Sequence, residues 1–141
     1  MSGVRHTLKE LAIYVDGASR GNPGRAGIGL AIYDNKGNIL KRMNEYIGQT
    51  TNNVAEYTAL IWGLQEALIL NATCLTIYTD SQLITRQLEG SYRIKDNTLR
   101  RFYRQVQHLM RGFDSVSIEH IERKQNKEAD RLANRAIDEM G

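Results

Sequence analysis

Apolar and polar residues alternate near the start of the chain, and later the period changes. Leu11 to Asp16 alternates as a strand does, and Ile28 to Tyr33 and Ile39 to Ile47 form two further runs of strand character. The turn-forming stretches Gly21-Asn22-Pro23-Gly24 and Asp34-Asn35-Lys36-Gly37 separate them. Strands joined this closely predict an antiparallel three-strand meander. From Val54 the spacing becomes helical: Tyr57, Leu60, Ile61, Leu64 and Leu68 make one stripe, and Asn71 is a stop signal. The strand Leu75 to Thr79 comes next, and a strand after a long helix implies a crossover to a parallel neighbour.

The rest reads as a short helix reaching about Glu89-Gly90, a loop over Tyr92 to Asn97, a helix over Leu99 to Arg111, and a strand with Val116, Ile118 and His120 on one face. A final helix begins near Asn126, with Ala129, Leu132, Ala133, Ala136, Ile137 and Met140 on its apolar stripe. This element order predicts an α/β fold, and 141 residues suit one domain spanning 1–141. Trp62 falls off the stripe of its helix and reads as partly exposed packing.

Two of the strands end alike. Ile13-Tyr14-Val15-Asp16-Gly17 and Ile77-Tyr78-Thr79-Asp80-Ser81 are near repeats, each an apolar run that stops at a carboxylate. Residues two apart on a strand share a face, so neighbouring strands would bring Asp16 and Asp80 out side by side at one sheet edge. Two acids that close need a proton or a cation between them. Taken singly, Asp80-Ser81 is an ordinary helix start and Asp16-Gly17 an ordinary turn. The matching pair is what predicts a site. Glu56 reads locally as the N3 partner of an Asn53 cap, yet a helix crossing back over the sheet can present its first turn beside those strand ends. Asp130 sits at the edge of the last helix's stripe, level with Ala133 and Ile137, between core and solvent.

Composition narrows the chemistry. The chain is 41% hydrophobic and 25% charged, as soluble proteins are, with no run of membrane-spanning length. Its start lacks the apolar segment of a secretory signal, so a cytoplasmic location is expected. Cys74 is the only cysteine and His6, His108 and His120 are scattered, which leaves no thiolate or paired-histidine site. Any bound metal should therefore be oxygen-ligated, as Mg²⁺ or Mn²⁺ is. The net charge of +3 is uneven: Arg86, Arg93, Lys95, Arg100, Arg101, Arg104 and Arg111 stand in one segment against only Glu89 and Asp96. Such a block suits a polyanionic partner, although part of it is the ordinary solvated face of a helix.

Four motifs now stand in order. Asp16-Gly17-Ala18-Ser19-Arg20-Gly21-Asn22-Pro23-Gly24, Thr51-Asn52-Asn53-Val54-Ala55-Glu56, Thr79-Asp80-Ser81-Gln82 and Asn126-Lys127-Glu128-Ala129-Asp130-Arg131-Leu132-Ala133 together closely resemble type 1 ribonuclease H, over essentially the whole chain. The resemblance implies a ribonuclease H-like fold: a five-stranded mixed sheet, three strands antiparallel and then two parallel, flanked by helices. It implies metal-dependent cleavage of the RNA strand of RNA–DNA hybrids, leaving 5′-phosphate and 3′-hydroxyl ends. Carried onto this sequence, the catalytic and metal-binding acids are Asp16, Glu56, Asp80 and Asp130, holding two Mg²⁺ ions about 3.5–4 Å apart, with Mn²⁺ as a substitute and Asp16 best placed to bridge.

By the same resemblance Asn22, Ser81, Gln82 and Glu56 contact the RNA strand, whose 2′-hydroxyl must be recognised by groups that donate and accept. Thr51, Asn52 and Asn53 match positions that serve the DNA strand. Family members with a long basic protrusion after the short helix differ from this chain, which has only Gly90 to Asn97 there and so resembles the compact subgroup. Arg93 and Lys95 stand as a reduced handle. The loop histidine of many members is absent, Arg123 occupies that loop as in compact members, and His120 lies on the strand. No membrane or obligate protein partner is implied. A same-fold nuclease acting on double-stranded RNA, or a catalytically silent hybrid-binding module, are the competing readings.

Overall fold

In the computed structural model, which describes residues 8–90 and 93–140, the near repeat is in register. Strand β1 (Glu10–Gly21) pairs with β4 (Cys74–Thr79) in parallel, matching Ile13 to Ile77, Tyr14 to Tyr78 and Val15 to Thr79. Asp16 and Asp80 thus follow the last paired rung at the same offset. On its other side β1 pairs antiparallel with β2 (Gly24–Asp34), which pairs antiparallel with β3 (Ile39–Thr50). Strand β5 (Ser115–His120) adds to β4 in parallel, giving the order β3-β2-β1-β4-β5. The architecture is the ribonuclease H-like mixed sheet that the motifs implied.

The strands outrun their apolar patterns. β1 continues five residues past Asp16 and β2 starts four before Ile28, because Gly17 to Gly21 pair with Gly24 to Ile28 across the turn. Ladder hydrogen bonds form whatever the side chain, so hydrophobic alternation alone missed this half of the hairpin.

The helices cover the sheet from both faces. Helix α1 (Asn52–Ile69) lies on the face carrying Ile13, Val15, Ile28 and Leu30, and buries Tyr57, Leu60 and Leu64 completely. Each of the two leucines contributes roughly 1.5–3 kcal/mol. Helix α3 (Asn97–Met110) packs outside α1, with Tyr57 and Phe102 stacked at 6.4 Å. A short helix α2 (Gln82–Leu88) follows β4. Trp62 is half-buried at the core's edge.

Helix α4 (Lys127–Met140) takes the opposite face, over β1, β2 and β3. It sits directly on backbone: a Cβ on Gly29 would lie 2.2 Å from the Ala129 carbonyl oxygen, and one on Gly27 2.5 Å from that of Ala133. Only glycine permits that approach. Ion pairs line the rim of the helix, Arg20 to Asp138 at 2.6 Å and Arg42 to Glu128 at 2.8 Å. Among the described residues no helix is long and apolar enough to cross a membrane. Residues 1–7, which carry the reading of the chain's start, and Ser91 and Tyr92 of the expected loop lie outside the described residues.

Candidate active site

The parallel strand ends bring three carboxyl groups together. Asp16 and Glu56 are buried and Asp80 half-buried, and one carboxylate oxygen of each lies within 4.8 Å of the others. Two rungs below, Tyr14 and Tyr78 stack with centroids 4.6 Å apart and planes 18° from parallel, a cross-strand contact that supports the register on which the Asp16–Asp80 approach depends.

Glu56 arrives from the first turn of α1. The cap expected at Asn53 is instead made by Thr51, whose hydroxyl oxygen accepts from the Val54 N–H at 3.3 Å. Glu56 is therefore free of capping, and its Oε1 accepts from the Gly17 N–H at 2.6 Å. Gly17 allows this, since a Cβ there would lie 2.2 Å from the Ala55 backbone. Asp130 reaches the cleft from α4, half-buried, and its Oδ1 meets Arg123 at 3.5 Å and the Asn134 amide at 3.2 Å.

The electrostatics follow from this crowding. Burial pushes the Asp16 carboxyl far above the usual range, and the Glu56 and Asp80 charges push it further. Glu56 is also raised by burial, against the Gly17 N–H, which favours its ionised form. Asp80 is raised by burial, with a hydrogen bond from Asn126 and the Arg123 charge pulling the other way. Three oxygen donors short of positive charge, with no sulfur or imidazole among them, suit a hard divalent cation such as Mg²⁺, Mn²⁺ or Ca²⁺. The donors themselves fit the metal that the motifs implied.

The cleft above these acids has a volume of about 270 Å³, and Ser19, Arg20, Asn52, Arg123 and Asn134 complete its wall. Asn22 stands exposed at the β1–β2 turn, where its Oδ1 accepts from the Asn52 N–H at 3.0 Å and ties the hairpin to the start of α1. Ser81 caps α2, its hydroxyl oxygen accepting from the Ile84 N–H at 3.2 Å, and Gln82 is the exposed residue after it. Asn53 is half-buried in the first turn of α1. Arg93 and Lys95 are exposed on the segment before α3, outside the cleft wall. His120 ends β5 beside Gln82, Thr85, Arg86 and Glu89 in a separate pocket, so Arg123 and not His120 lines the acidic cleft.

Two asparagines of the site were not singled out from the sequence. Asn134 stands one helical turn beyond Asp130, a spacing that could have flagged it. Asn126 is fully buried and donates from Nδ2 to the Val15 carbonyl oxygen at 2.9 Å and to Asp80 Oδ2 at 3.4 Å. An asparagine before a helix reads as a cap, and nothing local distinguishes this one.

Comparison with known proteins places this geometry. A family model described as "Reverse transcriptase-like" matches residues 14–136. The chain is 43% identical over 126 residues to Ribonuclease HI of Halobacterium salinarum, covering 89% of the chain and 63% of that protein, so it spans just under two thirds of this curated relative's length. The crystal structure of an RNase H1 from Halobacterium salinarum superposes with a TM-score of 0.90 at 42% identity, covering 92% of this chain and 98% of that one. The crystal structure of LC11-RNase H1 in complex with an RNA/DNA hybrid superposes with a TM-score of 0.88 at 41% identity, over 92% of this chain and 98% of that one.

Proposed function

The chain belongs to the ribonuclease H family, and from that membership we propose that it is a divalent-metal-dependent endonuclease cutting the RNA strand of RNA–DNA hybrids to 5′-phosphate and 3′-hydroxyl ends. The observation that carries the reading is the convergence of Asp16, Glu56 and Asp80 within 4.8 Å at the parallel strand ends, with Asp130 facing them from α4. The metal is Mg²⁺, two ions with substrate, and Mn²⁺ replaces it. Bound at these acids, the cations supply the positive charge that offsets a scissile phosphate and polarises the attacking water.

The protein's part is to hold ligands and substrate still. The Gly17 N–H fixes one oxygen of Glu56 and so orients its carboxylate beside Asp16 and Asp80. Arg123 beside Asp130 offers a fixed cation to the phosphate. Asn22, Ser81 and Gln82 face the RNA strand, where amide and hydroxyl groups answer a 2′-hydroxyl that donates and accepts. Thr51, Asn52 and Asn53 serve the DNA strand, and exposed Arg93 and Lys95 reach its phosphates. The lone cysteine and mixed surface charge suit the reducing cytoplasm.

A cleavage assay on matched hybrid, RNA duplex and DNA duplex, each with Mg²⁺, Mn²⁺ or EDTA, tests the proposal. Cuts are expected only in the RNA strand of the hybrid and only with metal. Cleavage of RNA duplex at a comparable rate, or cleavage that survives EDTA, overturns it.

A further inference from the structure

We infer that Asn126 is a positioning residue that orients the Asp80 carboxylate for metal binding, an inference that rests on the reading of the acids as metal ligands. Asn126 stands at the start of α4, where an asparagine ordinarily caps the helix by accepting a backbone N–H on its Oδ1. Here the cap is not made. Its Oδ1 is buried without a hydrogen-bond partner among the described residues, in a residue only 1% exposed. An unsatisfied buried oxygen is costly, and a fold keeps one where the rest of the group has a task.

The amide nitrogen shows the task. Nδ2 donates to the Val15 carbonyl oxygen at 2.9 Å, one residue before Asp16, and to Asp80 Oδ2 at 3.4 Å. Both partners accept, so the amide cannot be turned over without opposing oxygen to oxygen. The Asn126 carbonyl oxygen in turn accepts from the Asp130 N–H at 3.1 Å. One residue therefore links the strand end before Asp16, the carboxylate of Asp80 and the backbone of Asp130. The amide's hold on Oδ2 thereby sets the angle at which the Asp80 carboxylate faces the other acids. Partners of this kind, hydrogen-bonded to a ligating carboxylate, typically carry 10–100-fold in metal affinity.

The test is a double-mutant cycle in Mn²⁺ affinity, measured by calorimetry on folded protein without substrate, beside the hybrid-cleavage rate. Asn126→Ala is expected to raise the Mn²⁺ Kd by about 10–100-fold and to lower kcat with little change in KM, but to add little to the Kd in an Asp80→Asn background. Asn126→Asp keeps the shape and removes the donor, so it should lose Mn²⁺ affinity too, and it stands in if the alanine variant does not fold. Wild-type affinity in both variants, or losses that add fully to those of Asp80→Asn, overturns the inference. A wild-type protein that binds no Mn²⁺ or cuts no hybrid instead overturns the reading of the site.

Discussion

Asp16 is where burial, charge and proposed chemistry meet, and its substitution separates them. Asp16→Asn keeps the shape and removes a ligand charge, so cleavage should fall by about a thousandfold, equivalent to ~4 kcal/mol of transition-state stabilisation, while the circular dichroism spectrum stays that of the wild type. Near-normal turnover in this variant would remove the acid cluster from the mechanism. Arg123 is more exposed and pairs with Asp130 at 3.5 Å. Arg123→Ala should slow single-turnover cleavage about ten- to hundredfold, and Arg123→Lys should recover part of that, since the charge survives without the planar fork. If His120→Ala proves the more damaging change, the loop's role passes to the strand end.

Among the elements, β1, α1, β4 and α4 decide the site, and they were unequally legible. The Ile-Tyr-x-Asp repeat announced two neighbouring strand ends, because apolar alternation and a terminal acid are local signals that survive without a partner. The seat of α4 was not legible: Gly27 and Gly29 look like turn or flexibility signals in a sequence, and only the packed fold shows that they bare the β2 backbone to a helix. Asn126 was missed for the same reason, since its partners Val15 and Asp80 are distant in sequence. Glu56 lay between, its cap reading displaced by Thr51 once the helix start moved to Asn52. Gly29→Ala, which puts a methyl group 2.2 Å from the Ala129 carbonyl oxygen, should lower stability by ~3 kcal/mol or more in urea unfolding and weaken activity, because α4 must lift and take Asp130 with it. An unchanged unfolding midpoint would show that the helix shifts without cost.

For the protein as a folded unit, the raised acids make stability depend on pH and on metal together. Asp16, Glu56 and Asp80 all titrate above their unfolded values when no cation is bound. The folded state then holds more protons than the unfolded one, so metal-free stability should fall as pH rises from about 4 through neutrality. Adding Mn²⁺ at neutral pH should restore it, by about 2.7 kcal/mol at a hundredfold excess over Kd, and much less at pH 5, where protons compete for the same oxygens. Thermal melts at the two pH values, with Mn²⁺ and with EDTA, read this directly; metal-free melting temperatures that climb from pH 5 to 8 would contradict it. The bare-backbone seat of α4 also bears on synthesis. Asp130 comes from a segment that docks on glycines of β2, more than ninety positions earlier in the chain, so a growing polypeptide on the ribosome has no complete cluster of acids until that last helix settles. A translation product cut short before it would therefore carry Asp16, Glu56 and Asp80 but lack the fourth acid of the cleft.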